Sequence, residues 1–226
     1  RLTFDPGEDE FPLWSPDGKR LAFSSTRVAG GSPFKTGLFS VAADGTGAVQ
    51  PLAQGNNQTF PDAFTPDGSQ VLVRSSSPGG NDDIFLVSLN RTSAEGTAGP
   101  EVRPLLQTMF NEQNPALSPN GRWVAYQSDE SGREEIYVRP FPDVDAGRWQ
   151  VSTGGGVQAA WARSGRELFY RSGTALLALP VQTGTGFVAG TPKALFEGQY
   201  FRGLTGRSYD VAPDGQRFLF LKPVPA

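Results

Sequence analysis

The stretch Leu13-Trp14-Ser15-Pro16-Asp17-Gly18-Lys19-Arg20-Leu21-Ala22-Phe23 sets a four-residue turn between two apolar runs. The phrase returns around Thr65-Pro66-Asp67-Gly68, Ser118-Pro119-Asn120-Gly121, Ala162-Arg163-Ser164-Gly165 and Ala212-Pro213-Asp214-Gly215. The tetrad glycines stand at 18, 68, 121, 165 and 215, so the steps are 50, 53, 44 and 50 residues. Pro presets φ at about −65° in the second position, Asp tolerates the third and bonds nearby backbone, and Gly accepts φ > 0 in the fourth. Between two apolar runs that chemistry predicts a tight hairpin. Asn120 satisfies the same geometry, and the fourth copy keeps only Gly165 of the Pro, Asp and Gly.

After each turn comes an apolar run, not an alternation: Leu21-Ala22-Phe23, Val71-Leu72-Val73, Val124-Ala125-Tyr126, Leu168-Phe169-Tyr170 and Phe218-Leu219-Phe220. A strand with one wet face alternates, so these runs predict strands covered on both faces. A third strand follows in the first four repeats, as in Asp83-Ile84-Phe85-Leu86-Val87, and then a weaker fourth, as in Glu101-Val102-Arg103-Pro104-Leu105. Four antiparallel strands recurring every 40–50 residues or so define a blade of a β-propeller, here one all-β domain over residues 1–226. Five blades closed on themselves and part of a six-bladed ring both fit, because the fifth repeat stops after its hairpin. The chain opens on Arg1-Leu2-Thr3-Phe4 without an initiator Met, which reads as a segment of something longer, tethered to other domains.

Composition narrows the chemistry. The 226 residues include 28 Gly and 19 Pro, the profile of many short elements joined by turns. No run approaches the roughly 20 apolar residues that span a bilayer. The net charge of −3 is scattered, with no basic stripe for nucleic acid. Without cysteine there is no disulfide or thiolate chemistry, and without histidine the usual general base and commonest metal ligand are missing.

Pro12-Leu13-Trp14-Ser15-Pro16-Asp17-Gly18 and Ser128-Asp129-Glu130-Ser131-Gly132-Arg133-Glu134-Glu135-Ile136-Tyr137-Val138 resemble the WD-like repeats of TolB-type propellers, over nearly the whole chain. Gly147-Arg148-Trp149-Gln150-Val151-Ser152-Thr153-Gly154-Gly155-Gly156, with Gly190-Thr191-Pro192-Lys193-Ala194-Leu195-Phe196, is similar to the C-terminal propellers of bacterial membrane-bound Ser/Thr protein kinases. That resemblance implies an extracytoplasmic sensor that binds a small ligand or an envelope or peptide partner, with no enzymatic activity and no cofactor. Two alternatives stay open: a TolB-like envelope interaction propeller, and the substrate-gating propeller of a prolyl-oligopeptidase-like serine peptidase.

The tetrad aspartates Asp17, Asp67 and Asp214 sit in turns one blade apart, so turn chemistry accounts for them and no convergence on one site is expected. Ser128-Asp129-Glu130-Ser131-Gly132 lacks the ligand series of a calcium loop, and Gly154-Gly155-Gly156 lacks a phosphate-binding Lys and reads as a flexible connection. The four tryptophans fall in strands and read as core. No catalytic or metal residues are assigned. Binding is expected in the loops before each first strand, at one mouth of a propeller channel: Asp9, Glu10, Asn57, Gln58, Glu112, Gln113, Gln158, Arg202 and Arg207. The loop from Arg27 to Thr36 would cap the same face.

Overall fold

Five tetrads give five hairpins, each closed by the bond the turn chemistry requires. The glycine N–H donates to the carbonyl of the first tetrad residue at 2.8–2.9 Å in all five copies. All five glycines hold φ between +66° and +71°. Asp17 Oδ1 accepts from Ser15 Oγ (2.6 Å) and Lys19 N (3.0 Å), and Asp67 Oδ1 does the same for Thr65 Oγ1 and Ser69 N. Asn120 Oδ1 repeats the pattern with Ser118 Oγ (2.7 Å) and Arg122 N (3.1 Å), so an amide serves the turn as well as a carboxylate. Gly165→Val should cost about 1–3 kcal/mol, because a β-branched residue is strained at φ +67°. At exposed Glu10, Gln should change stability by less than about 0.5 kcal/mol; urea unfolding measures both.

The computed structural model describes residues 1–27, 35–54, 57–76, 80–89, 100–203 and 206–222. About half of these residues are in strands, and the one helical element among them is a 3₁₀ turn at Val144–Ala146. The chain divides into two compact units, Arg1–Glu112 and Gln113–Ala226.

The first unit holds two four-stranded antiparallel sheets with strands in sequence order. One comprises β1 (Asp9–Trp14), β2 (Arg20–Ser25), β3 (Gly37–Ala42) and β4 (Gln50–Gln54). The other comprises β5 (Thr59–Phe64), β6 (Gln70–Ser76), β7 (Asp82–Ser88) and β8 (Glu101–Leu106). Ala22, Leu38, Ala53, Val71, Val73 and Val87 form the core between them.

The second unit continues with β9 (Glu112–Leu117), β10 (Trp123–Ser128), β11 (Glu135–Pro140) and β12 (Trp149–Gln150). Its next sheet contains β13 (Val157–Trp161), β14 (Glu167–Ser172), β15 (Ala175–Gln182), β16 (Val188–Ala189) and β17 (Lys193–Glu197). The last pair is β18 (Tyr209–Val211) with β19 (Phe218–Phe220). Strand β14 shows why the runs do not alternate. Leu168 and Tyr170 join a core with Trp123, Ile136 and Trp161, while Phe169 between them joins a second core with Leu176 and Tyr209.

Three of the four tryptophans are core residues. Trp123 and Trp161 are buried, and Trp149 packs edge-on against Trp123 at 5.6 Å. Trp14 departs from the expectation at 59% exposure.

Candidate binding site

The ends of the first strands are bent. Asn114 in β9 (φ 51°) and Gln158 in β13 (φ 56°) occupy the left-handed region, as does Phe11 in β1 (φ 54°). The register slips in β13 between Val157 and Ala160 and in β1 between Glu10 and Leu13. Such bulges kink a strand and re-aim the side chains beside it. The matching place in β5 is Pro61, whose ring forbids φ > 0.

In the second unit the bulges build one hydrogen-bonded network across all three sheets. Gln127 Oε1 accepts from Asn114 Nδ2 (3.0 Å) and from Gln158 N (3.2 Å). Gln127 Nε2 donates to Gln113 Oε1 (3.1 Å) and Glu134 Oε1 (2.6 Å), and the far oxygen of Glu134 accepts from Arg202 Nη2 at 2.7 Å. Gln158 Nε2 donates to Gly206 O (2.7 Å), while Gln158 Oε1 accepts from Ser208 Oγ (3.0 Å). Arg171 Nη1 reaches Ser208 Oγ (3.1 Å) and Phe201 O (2.9 Å). Tyr209 Oη closes the base of the network on Gln158 O at 2.8 Å, and burial pushes its phenol well above the usual range. Burial, and after it the nearby Arg202 charge, lowers the pKa of Arg171.

Of the expected site residues, Gln113, Gln158 and Arg202 therefore meet in one network. Arg207 lies at its edge, exposed, bonded to Tyr209 O (3.0 Å) and Asp210 Oδ1 (3.2 Å). The others belong to the first unit. Asp9 pairs with Arg27 Nη2 at 2.6 Å. Burial opposes its ionisation, yet bonds from Thr3, Ser25 and Arg27, with the Arg27 charge, hold its carboxyl below the usual range. Glu10 is exposed, and Asn57 and Gln58 are half-buried beside the bond from Thr59 N to Thr36 Oγ1. Glu112 is buried and accepts from Thr108 Oγ1 at 2.5 Å. Most of the Arg27–Thr36 loop, residues 28–34, lies outside the described residues.

Sequence reasoning missed Gln127 and Arg171, although a signal was available. The sixth residue after the first four tetrad glycines is Ser24, Arg74, Gln127 and Arg171, each followed by Ser. All four are buried polar side chains at the end of an otherwise apolar strand. A buried polar group needs partners, and Gln127 and Arg171 find them in the network, whereas Ser24 Oγ and both terminal nitrogens of Arg74 find none among the described residues.

The remaining motifs resolve structurally. Gly132 closes a turn on Asp129 O at 2.8 Å, and Glu130 pairs with Arg148 at 2.6 Å. Within the Gly154–Gly156 connection, Gly156 is buried and tightly packed, whereas Gly154 is exposed and a Cβ on it or on Gly155 would meet nothing within 4 Å. Gly155 N donates to buried Glu135 Oε1 at 2.9 Å, and a Cβ on Gly156 would collide with Ser152 Oγ. Among the described residues no three acidic side chains are grouped to hold a metal ion. One expectation is corrected: Asp17 and Asp67 line the same cleft in the first unit. Consecutive turns abut there, so a Cβ on Gly68 would stand 3.7 Å from Pro16 Cδ.

No family model matches the chain. Solved structures do share its fold. TolB from Acinetobacter baumannii superposes with a TM-score of 0.65 at 18% identity, over 96% of this chain and 49% of that one. An oligogalacturonate lyase in complex with manganese gives 0.66 at 15% identity, over 96% and 63%. A puromycin-hydrolysing peptidase of Mycobacterium tuberculosis gives 0.58 at 16% identity, over 85% and 31%. The chain is thus an all-β, TolB-like propeller fold of four-stranded antiparallel sheets, spanning less than two thirds of each of these neighbours.

Proposed function

We propose that the chain is a non-enzymatic recognition module, the sensor propeller of a bacterial receptor-type Ser/Thr kinase. It would engage a small ligand or an envelope or peptide partner through the polar strand ends. The observation that carries this reading is the network of Gln113, Gln127, Gln158, Arg171, Arg202 and Ser208. Amide, hydroxyl and guanidinium groups suit directional recognition. The one hydroxyl among them, Ser208, contacts Arg171 and the Gln158 amide, so no general base activates it as a nucleophile. The absence of histidine agrees, since the chain cannot hold a Ser-His-Asp triad.

An extracytoplasmic location follows from the kinase-propeller resemblance. Among the described residues no helix is long and apolar enough to cross a membrane. The likeness to TolB favours a second reading, an envelope interaction propeller outside any kinase. Sequencing the gene through both flanks separates the two. A kinase domain and one membrane helix upstream are expected; an N-terminal α/β domain in their place would favour the TolB-like reading, and a downstream hydrolase domain with Gly-x-Ser-x-Gly would favour peptidase gating.

A further inference from the structure

The cleft at the first two hairpin turns has a volume of about 630 Å³, within the range of small-molecule sites. Leu52, Phe64 and Leu89 supply an apolar lining, and Asp17, Asp67 and Arg20 supply its charges. Two carboxylates and one guanidinium line the cleft, which leaves an excess negative charge. Arg20 Nη2 is engaged on Ser40 Oγ at 2.5 Å. Asp17 spends only Oδ1 on its turn; among the described residues Oδ2 accepts no hydrogen bond. The Ser15 hydroxyl and Lys19 N–H hold Asp17 ionised below the usual carboxylate range, and the Thr65 hydroxyl and Ser69 N–H do so for Asp67. A divalent metal would want more oxygen ligands than two carboxylates above an apolar lining. A cation with an apolar body fits both parts, with Phe64 among the residues that line the cleft.

We propose that this cleft binds a small organic ammonium ion, its charged head at Asp17 and Asp67 and its body against Leu52, Phe64 and Leu89. The site lies at the tetrad turns and is independent of the strand-end network. The third tetrad supplies the control. Asn120 makes both turn hydrogen bonds that Asp17 makes, so Asp17→Asn removes the charge and keeps the hairpin. Asp67 Oδ2 also accepts from Ser69 Oγ at 2.8 Å, so Asp67→Asn keeps the two turn bonds and exchanges donor and acceptor in that third one.

The test is an amide NMR titration of the chain with 2-phenylethylammonium, and with 2-phenylethanol and phenylacetate as probes of the same body. The ammonium ion should shift the Ser15, Arg20, Ser40 and Gly68 amides with a Kd on the order of millimolar, as expected for so small a ligand. The alcohol and the acid should bind at least ~10-fold more weakly than the amine, the ratio that defines a charge-dependent site. D17N/D67N should weaken the amine by a similar factor while its Tm stays within about 2 °C of the parent, and D214N should change nothing. Equal binding of amine and alcohol to the unmutated chain would overturn the proposal. So would full affinity in a folded D17N/D67N, or shifts confined to other amides.

Discussion

Trp161→Ala should destabilise the chain by about 3–5 kcal/mol, the cost of emptying a large aromatic site in a packed core. Trp161 is 9% exposed and joins Trp123, Ile136 and Leu168 in the core that binds two sheets of the second unit. Its indole Nε1 donates to Ala116 O at 3.0 Å, so truncation also leaves a buried carbonyl without its partner. Trp14→Ala is the matched control. It stands at the same place in its repeat, four residues before the tetrad glycine, yet it is 59% exposed. Its loss should cost less than about 1 kcal/mol by urea unfolding. Equal costs would mean that packing between sheets does not carry the stability of the second unit.

Glu135→Ala should cost about 2–4 kcal/mol. The carboxylate is fully buried and accepts from Arg133 Nε (2.7 Å), Gly155 N (2.9 Å) and the Ser152 hydroxyl. Ser152 Oγ in turn accepts from Ile136 N at 2.8 Å, so one acid fixes the start of β11 and the glycine connection to β13. Deleting it strands those donors in the interior, which is the expensive way to break a buried polar cluster. Arg133 is 61% exposed, which holds the expected cost below that of a fully buried ion pair. Glu135→Gln keeps acceptor capacity and should lose about 1–2 kcal/mol; the same urea titrations measure both. A Glu135→Ala variant as stable as the parent would show that the connection packs without its anchor.

What was legible in the sequence is what one residue decides locally. Gly18 and its four counterparts need φ > 0, so the hairpins and their spacing could be read directly. The run Leu168-Phe169-Tyr170 has no polar member, so burial on both faces could be read as well. Position in the repeat did not fix burial. Trp161 donates to Ala116 O of the sheet before it, while Trp14, at the same place in its repeat, stands 59% exposed. The network was half legible. Gln113, Gln158 and Arg202 are polar where strand packing demands nothing, whereas Gln127 and Arg171 hide at the ends of apolar runs. Gln158 reaches its partners because of a left-handed bulge that no turn residue announces. Composition likewise shows neither the Glu135 carboxylate that holds Gly155 N nor the Ser152 side chain that crowds Gly156.

The central claim is that recognition of an envelope or peptide partner resides in the strand-end network, separately from the small-cation cleft at the first two tetrad turns. Quantitative capture from a bacterial envelope extract, on immobilised chain, tests it most directly with three baits. These are the unmutated chain, Arg202→Glu, which sets like charge against Glu134, and Asp214→Asn, which alters a turn. Species retained by the unmutated chain should fall at least ~10-fold with Arg202→Glu, the scale of a reversed charge contact, and stay unchanged with Asp214→Asn. Equal retention by Arg202→Glu, or loss confined to Asp214→Asn, would contradict the account.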